Sequence, residues 1–153
     1  MTGLNTAALV DELVSKAMQL GVFEKVNTHE PKSQPGTGMT AAIWVDRVQP
    51  FQQGSGLNTT SALVLFMFRI YQSAFSEPQD AIDPRVLQAT DTLLDKYSGN
   101  FTLGGQVREI DLLGEAGTPL SSQAGWLNLD GKIFRVMDVF VPVIISDVWS
   151  QNA

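Results

Sequence analysis

The chain has 153 residues, 44% apolar and 17% charged, with a net charge of −6 and no cysteine. That length fits one domain, residues 1–153, able to bury roughly 70% of its unfolded surface. Lack of cysteine excludes disulfides and thiolate metal sites, and ten scattered cations with no basic run exclude a nonspecific grip on nucleic acid.

No cationic segment followed by an apolar run opens the sequence, which predicts no signal peptide. The longest apolar run, Ala62–Phe68, is far short of a spanning helix. The expectation is a soluble protein without membrane contact, made in a cytoplasm.

Asn5–Leu20 reads as a helix. Asn5 or Thr6 caps its first amides, and Leu9, Val10, Leu13, Val14 and Ala17 make an apolar stripe at helical spacing. Gly21 supplies a left-handed stop, with Val22 folding back on the last turn. Val22–Glu30 reads as a strand and Pro31–Thr40, with two prolines and two glycines, as a loop. Ala41–Val48 is a second strand around Trp44, and Pro50–Gly56 a turn.

Thr59–Gln72 alternates with a period of two. Ala62, Val64, Phe66, Phe68 and Ile70 share one face, and Leu63, Leu65, Met67 and Tyr71 the other. Two apolar faces predict a central strand covered on both sides. Ser73–Ile82 reads as a loop. Asp83-Pro84 then starts a second helix, Asp83 capping it and Pro84 taking its first position. Its buried stripe is Val86, Leu87, Thr90, Leu93, Leu94 and Tyr97, and Gly99 ends it.

The last third reads as β. Val107–Leu113 is a strand, and Gly114–Ser122 an exposed loop. Asp130-Gly131 predicts a type I′ hairpin turn between Gly125–Leu129 and Lys132–Met137. Val139–Ile145 is a final apolar strand, and Pro142 places it at an edge or beside a bulge. The fold class is α+β, a mostly antiparallel sheet with two packed helices in the order α-β-β-β-α-β-β-β. Two helices leave one sheet face partly uncovered, and that face or a sheet edge is a natural seat for a neighbouring subunit.

The residues offer little catalytic chemistry. His29 is the only histidine, and no G-x-S-x-G elbow accompanies it, so it reads as a strand-end histidine. One histidine and dispersed carboxylates make a poor metal site, and Asp130-Gly131 lacks the alternating ligands of a calcium loop. Gly36-Thr37-Gly38, Gly54-Ser55-Gly56 and Gly104-Gly105 lack the lysine, third glycine or following helix of a phosphate cradle. No catalytic residue, cofactor or metal is expected. Glu109 and Asp111 alternate on one strand face with Arg108 opposite, which fits a solvated face or an acidic surface lining a channel. Trp44 and Trp126 read as core or sheet-edge packing. Trp149 anchors the tail of the chain on its own domain or docks on a neighbour.

Several words of the sequence carry a resemblance: His29-Glu30-Pro31-Lys32-Ser33, Ser55-Gly56-Leu57 with Thr60-Ser61, and Glu77-Pro78 with Ile82-Asp83. So do the block Asn100–Gly114, Phe134-Arg135-Val136 and Val141-Pro142-Val143-Ile144. Through these the chain resembles the tail terminator, or tail completion, proteins of long-tailed phages, especially those of actinobacteria. The resemblance runs from the first helix to Trp149. It implies an antiparallel sheet with helices packed on it and a homo-oligomeric ring, typically of six copies, at the head-proximal end of the tail tube. Such a ring ends polymerisation of the tube protein and offers a surface to the head–tail connector. DNA passes through the lumen without specific binding, and a negative lumen favours its sliding. The implied location is the virion, assembled in the host cytoplasm. A connector subunit of the neck is the close alternative, and a small hydrolase and a peptide-binding module are the readings from other classes.

A ring built from one repeated contact needs two different patches per subunit. Candidate contacts are His29, Glu30, Lys32 and Gln34 around the first loop, Arg47 and Arg108 on strands, Glu115 in the second loop, and Trp149. Lys32, Arg47, Arg69, Arg108 and Arg135 are either intersubunit salt-bridge partners or isolated surface charges. Glu109 and Asp111 are the candidate channel lining.

Overall fold

The protein is described by a computed structural model over residues 3–30, 38–52, 55–75 and 79–152. Asn5 opens α1 (Thr6–Met18), its side-chain oxygen accepting the Ala8 amide at 3.3 Å. That bond satisfies one of the amides a helix start leaves over. Leu9, Leu13 and Ala17 form the buried face. The helix ends two residues before the predicted Leu20, and Gly21, at φ 70°, completes the turn out of it. Val22 does not fold back on the helix. It is exposed, and Phe23 turns inward instead, its ring 5.7 Å from that of Phe68.

The strand expected over Val22–Glu30 is reduced to β1 (Lys25–Asn27), which runs parallel to the start of β2 (Thr40–Phe51). β2 is longer than expected and includes Pro50 and Phe51, which the sequence places in a turn. Pro50 is tolerated because among the described residues β1 covers only Thr40–Ala42 of the outer edge, and no ladder bond is asked of it there. β2 pairs antiparallel with β3 (Thr59–Ser73), and β3 with β6 (Lys132–Ser150). Two further strands lie against the far side of β6. These are β5 (Ser121–Leu129) and the short β4 (Glu109–Ile110). The sheet order is β1-β2-β3-β6-β4, with β5 also on β6. This is the α+β, mostly antiparallel architecture expected, in the expected order of elements.

The hairpin turn is as predicted, with Asp130 at φ 50° and Gly131 at φ 81°, both in the region a type I′ turn demands. Lys132–Met137 and Val139–Ile145, read apart in the sequence, are one strand. Pro142 sits in that central strand, neither at an edge nor at a bulge. The position tolerates proline because its missing N–H falls where β4 ends: Asp111 donates its amide to the Pro142 carbonyl at 2.8 Å, and the Asp111 carbonyl accepts from Leu120 at 3.2 Å.

α2 (Ile82–Ser98) starts two residues earlier than predicted, after a 3-10 turn at Gln79–Ala81. Ala81 occupies the cap without a side-chain bond, so Asp83 is not the N-cap and Pro84 is the third helical residue. Asp83 instead pairs with Arg135 on β6, Nε to Oδ1 3.0 Å. Leu87 is exposed and Ala89 takes its place in the buried stripe with Val86, Thr90, Leu93 and Tyr97.

Both helices cover one face of the sheet. There Val64, Phe66, Phe68 and Ile70 of β3 and Val139, Val141 and Val143 of β6 meet Leu9, Leu13, Leu93 and Tyr97. Each large side chain buried this way contributes about 1.5–3 kcal/mol. Tyr97 extends its hydroxyl to the Leu13 carbonyl at 2.8 Å, tying α2 to α1. The opposite face carries Leu63, Leu65, Met67 and Tyr71, as the period of two requires. Its two ends are closed, one by Ala42, Tyr71, Phe134 and Val136, the other by Phe51, Leu63 and Ile144. Between them Trp44, Met67, Arg69, Asp138 and Phe140 are only half-buried, so this face is partly uncovered, as two helices predict.

Candidate functional site

The block Asn100–Gly114 is mostly turn. Leu103 (φ 50°), Gly104 and Gly105 take left-handed conformations, and Leu103 and Val107 bury their side chains in the core beneath the helices. Ile110 returns its amide to the Phe101 carbonyl. The strand expected over Val107–Leu113 is therefore cut to Glu109–Ile110. Asp111 ends it chemically: its Oδ1 accepts the amides of Gly114 (3.1 Å) and Glu115 (2.9 Å), and its Oδ2 that of Ala116 (2.9 Å). Gly114 is required in this turn. It sits at φ +79°, and a Cβ there would stand 2.9 Å from the Pro119 nitrogen.

Asp111 is thus buried, 2% exposed, and is not a channel-lining residue. Its carboxylate oxygens are taken up by three backbone amides instead of being turned to solvent. Glu109 shares its sheet face and is half-buried, and Arg108 is exposed, its amide bound to the Ile144 carbonyl at 2.9 Å.

The loop that Asp111 organises folds over the end of β2. Glu115 and Ala116 line a cleft with Gln49, Pro50, Phe51 and Gln52. Arg47 reaches the same loop, Nη2 to the Thr118 hydroxyl 3.4 Å. Two candidate contacts far apart in sequence, Arg47 and Glu115, are brought to one region.

Trp149 belongs to the same end of the molecule. It pairs with Thr60 at the last rungs of β6, just past a register shift between Thr60 and Ala62. Asp147, at φ 55°, makes that irregularity. It accepts from the Thr59 hydroxyl at 2.6 Å and donates its amide to the Ser61 hydroxyl at 3.1 Å. Gln151 then donates its amide to Asn58 and its side chain to Thr59 and Thr60. The tail of the chain is anchored on its own sheet, while Trp149 stays 37% exposed.

His29 and Glu30 lie elsewhere. They follow β1, which pairs with the start of β2, across from Tyr71 at the other end of β3. Tyr71 and Thr60 stand about 35 Å apart along the strand, so the two groups of candidates cannot share one contact. Lys32 and Gln34, with most of the loop Pro31–Thr40, fall outside the described residues. Among the described residues no group of three or more His, Cys, Asp or Glu gathers, and no helix is long and apolar enough to cross a membrane.

Two clusters escaped the sequence reading because they depend on register. On the partly uncovered face the Arg69 guanidinium lies 5.3 Å from the Trp44 ring centroid and grips both oxygens of Asp138, Nη2 to Oδ2 3.2 Å. Burial works to lower the Arg69 pKa, but the bond and charge of Asp138 outweigh it and the net shift is upward. Neighbouring Tyr71 is pushed up to about 12 by burial, against the pull of Arg69. The Tyr71 hydroxyl has no hydrogen-bond partner among the described residues. On the hairpin, Arg135 lies 4.7 Å from the Trp126 ring centroid while bonded to Asp83 and to the Gly125 carbonyl (3.2 Å). Trp126 is 61% exposed; it packs on Arg135 at the sheet edge, on β5, and not in the core.

No protein-family model matches the chain, and no curated protein matches it.

Proposed function

We propose that this chain is a structural virion protein, the subunit of a tail-terminator ring at the head-proximal end of a phage tail tube. The ring ends tube polymerisation and joins the tail to the head connector. The observation that carries the reading is where the family-like words lie in space. Residues 101–114 and 141–144 are separated in sequence, yet they bond directly to one another. Asp111 donates its amide to the Pro142 carbonyl at 2.8 Å, and Arg108 its amide to the Ile144 carbonyl at 2.9 Å. These two words of the resemblance thus make one built feature, and Asp83 and Arg135, from two others, pair at 3.0 Å. Two distinct sets of exposed candidates about 35 Å apart also suit a subunit that meets tube on one side and connector on the other. The net charge of −6 suits a lumen through which DNA slides, with Glu109 as the remaining candidate for it.

Electron microscopy of a lysate from a phage genome with this gene disrupted tests the reading. Overlong or variable tails detached from filled heads are expected. Normal-length free tails beside filled or leaking heads would assign the connector role instead. Normal infectious particles would remove the virion reading altogether.

A further inference from the structure

We infer that copies of this chain join head to tail by antiparallel strand addition, the outer edge of β5 in one copy receiving the outer edge of β2 in the next. The inference deepens the ring reading and rests on it only for closure of the assembly.

β5 is an edge strand whose free backbone can be assigned. A two-residue type I′ turn makes Leu129 and Lys132 a hydrogen-bonded pair. Such pairs alternate along an antiparallel ladder. The amides and carbonyls of Ser122, Ala124, Trp126 and Asn128 therefore point away from β6. All four side chains are exposed. Among the described residues no strand pairs with this edge. Natural edges of this length are guarded by charges, proline or bulges. β5 has none: its nine residues are Ser-Ser-Gln-Ala-Gly-Trp-Leu-Asn-Leu.

The side chains identify the partner. Trp126 lies opposite Arg135, which pairs with Asp83 of α2, so Trp126 is on the helix-covered face. Its ring is held in place by the Arg135 guanidinium before any partner arrives, which lowers the ordering cost of binding. On β2, Val45 and Val48 pair with Phe66 and Val64, whose side chains lie under the helices. They share that face but are left 38% and 44% exposed, and among the described residues nothing pairs with this stretch of β2. Each open edge thus carries exposed apolar side chains on the same face of the sheet. In a continued sheet they become cross-strand neighbours. The strand directions also agree. β2, β3, β6 and β5 alternate, so a following β2 continues the alternation antiparallel to β5.

A β5–β5 pair is the alternative, but it would leave Val45, Val48 and the β2 backbone open. A β2–β2 pair would leave the β5 edge open and would set two bulged, proline-bearing edges against each other. Only the head-to-tail contact covers both edges. β5 lies beside the half of β6 that ends at Phe140, whereas the open part of β2 lies beside Ser61–Phe68. Each added copy must slide along the strand axis. A slide repeated in one sense is the stagger that a closing sheet requires.

The cysteine-free chain makes the test direct. The double variant Ala124→Cys/Val48→Cys, treated with a short bismaleimide, is expected to give a ladder of covalent multimers. Ser122→Pro in that background removes only an outward amide, leaving the β5–β6 ladder intact, and is expected to abolish the multimers. Dimers from Ala124→Cys alone would mean β5–β5 pairing and overturn the proposal. So would a ladder that survives Ser122→Pro, or no cross-link at any concentration. A ladder combined with normal tails after gene disruption would sink the terminator reading and leave the contact standing. Overlong tails without a ladder would do the reverse.

Discussion

Asp111 and Pro142 face each other across β4 and β6, and each supplies what the other lacks. Pro142 accepts the Asp111 amide at 2.8 Å but has no N–H to return, so the Asp111 carbonyl takes the Leu120 amide at 3.2 Å. The chain between them is gathered by the Asp111 carboxylate onto Gly114, Glu115 and Ala116. Asp111→Ala leaves three part-buried amides without their acceptor, which costs about 1–3 kcal/mol. We expect denaturant unfolding to show a loss in that range and hydrogen exchange to speed up at Glu115 and Ala116. Asp111→Asn keeps one acceptor oxygen and should lose less. Unchanged exchange in Asp111→Ala would mean the loop holds by other means.

Tyr97 is fully buried and bonds to the Leu13 carbonyl at 2.8 Å. Its ring also meets Phe68 edge-on, centroids 6.4 Å apart. Tyr97→Phe keeps the ring and removes the bond, so the expected loss is about 0.5–1.5 kcal/mol. Tyr97→Ala also opens a cavity between the helices and the sheet, with an expected loss of about 3–5 kcal/mol. Thermal unfolding of the two variants separates bond from packing. Equal losses would show that the ring contributes little.

Arg69 and Asp138 hold one another in the middle of the half-open face, their side chains 18% and 24% exposed. Removing one partner strands the other charge. Arg69→Met or Asp138→Leu alone is expected to destabilise by about 1–3 kcal/mol. The double variant should recover much of that, because neither charge remains to be solvated. Strict additivity in the double-mutant cycle would show that the two residues do not act as a pair.

The legible parts of the sequence were those set by local periodicity. β3 was readable because both faces alternate over its whole length, and α1 because Asn5 stands before an apolar stripe. Failures came where long-range hydrogen bonding decides. Val107–Leu113 looks like a strand by composition, yet Asp111 spends its carboxylate on a turn. Pro142 looks like an edge residue until β4 is seen to end opposite it. Asp83 looks like a cap, but Arg135 reaches it across the structure from β6. The bond of Arg47, a candidate contact, to Thr118 and the exposure of Trp126 beside Arg135 follow from register, which no local window encodes.

The two tyrosines of the chain, Tyr71 and Tyr97, are both buried, which makes alkaline pH a readout of the core. Burial raises both phenols, Tyr71 to about 12 from an ordinary 10.0. The folded state holds these protons more tightly than the unfolded chain does. Stability should therefore be unaffected by Tyr71 below pH 10.0 and decline as pH rises from there towards 12, because the unfolded chain releases its proton first. Tyr97 acts in the same direction. Tyrosinate absorbance is expected to stay flat while the fold persists, then to rise together with the loss of near-ultraviolet circular dichroism. Tyr97→Phe should halve the amplitude without splitting the transition. Full ionisation of both phenols near pH 10 in a protein that keeps its circular dichroism would place them in solvent. The helix-to-sheet packing around Phe68 and Tyr97 would then be wrong.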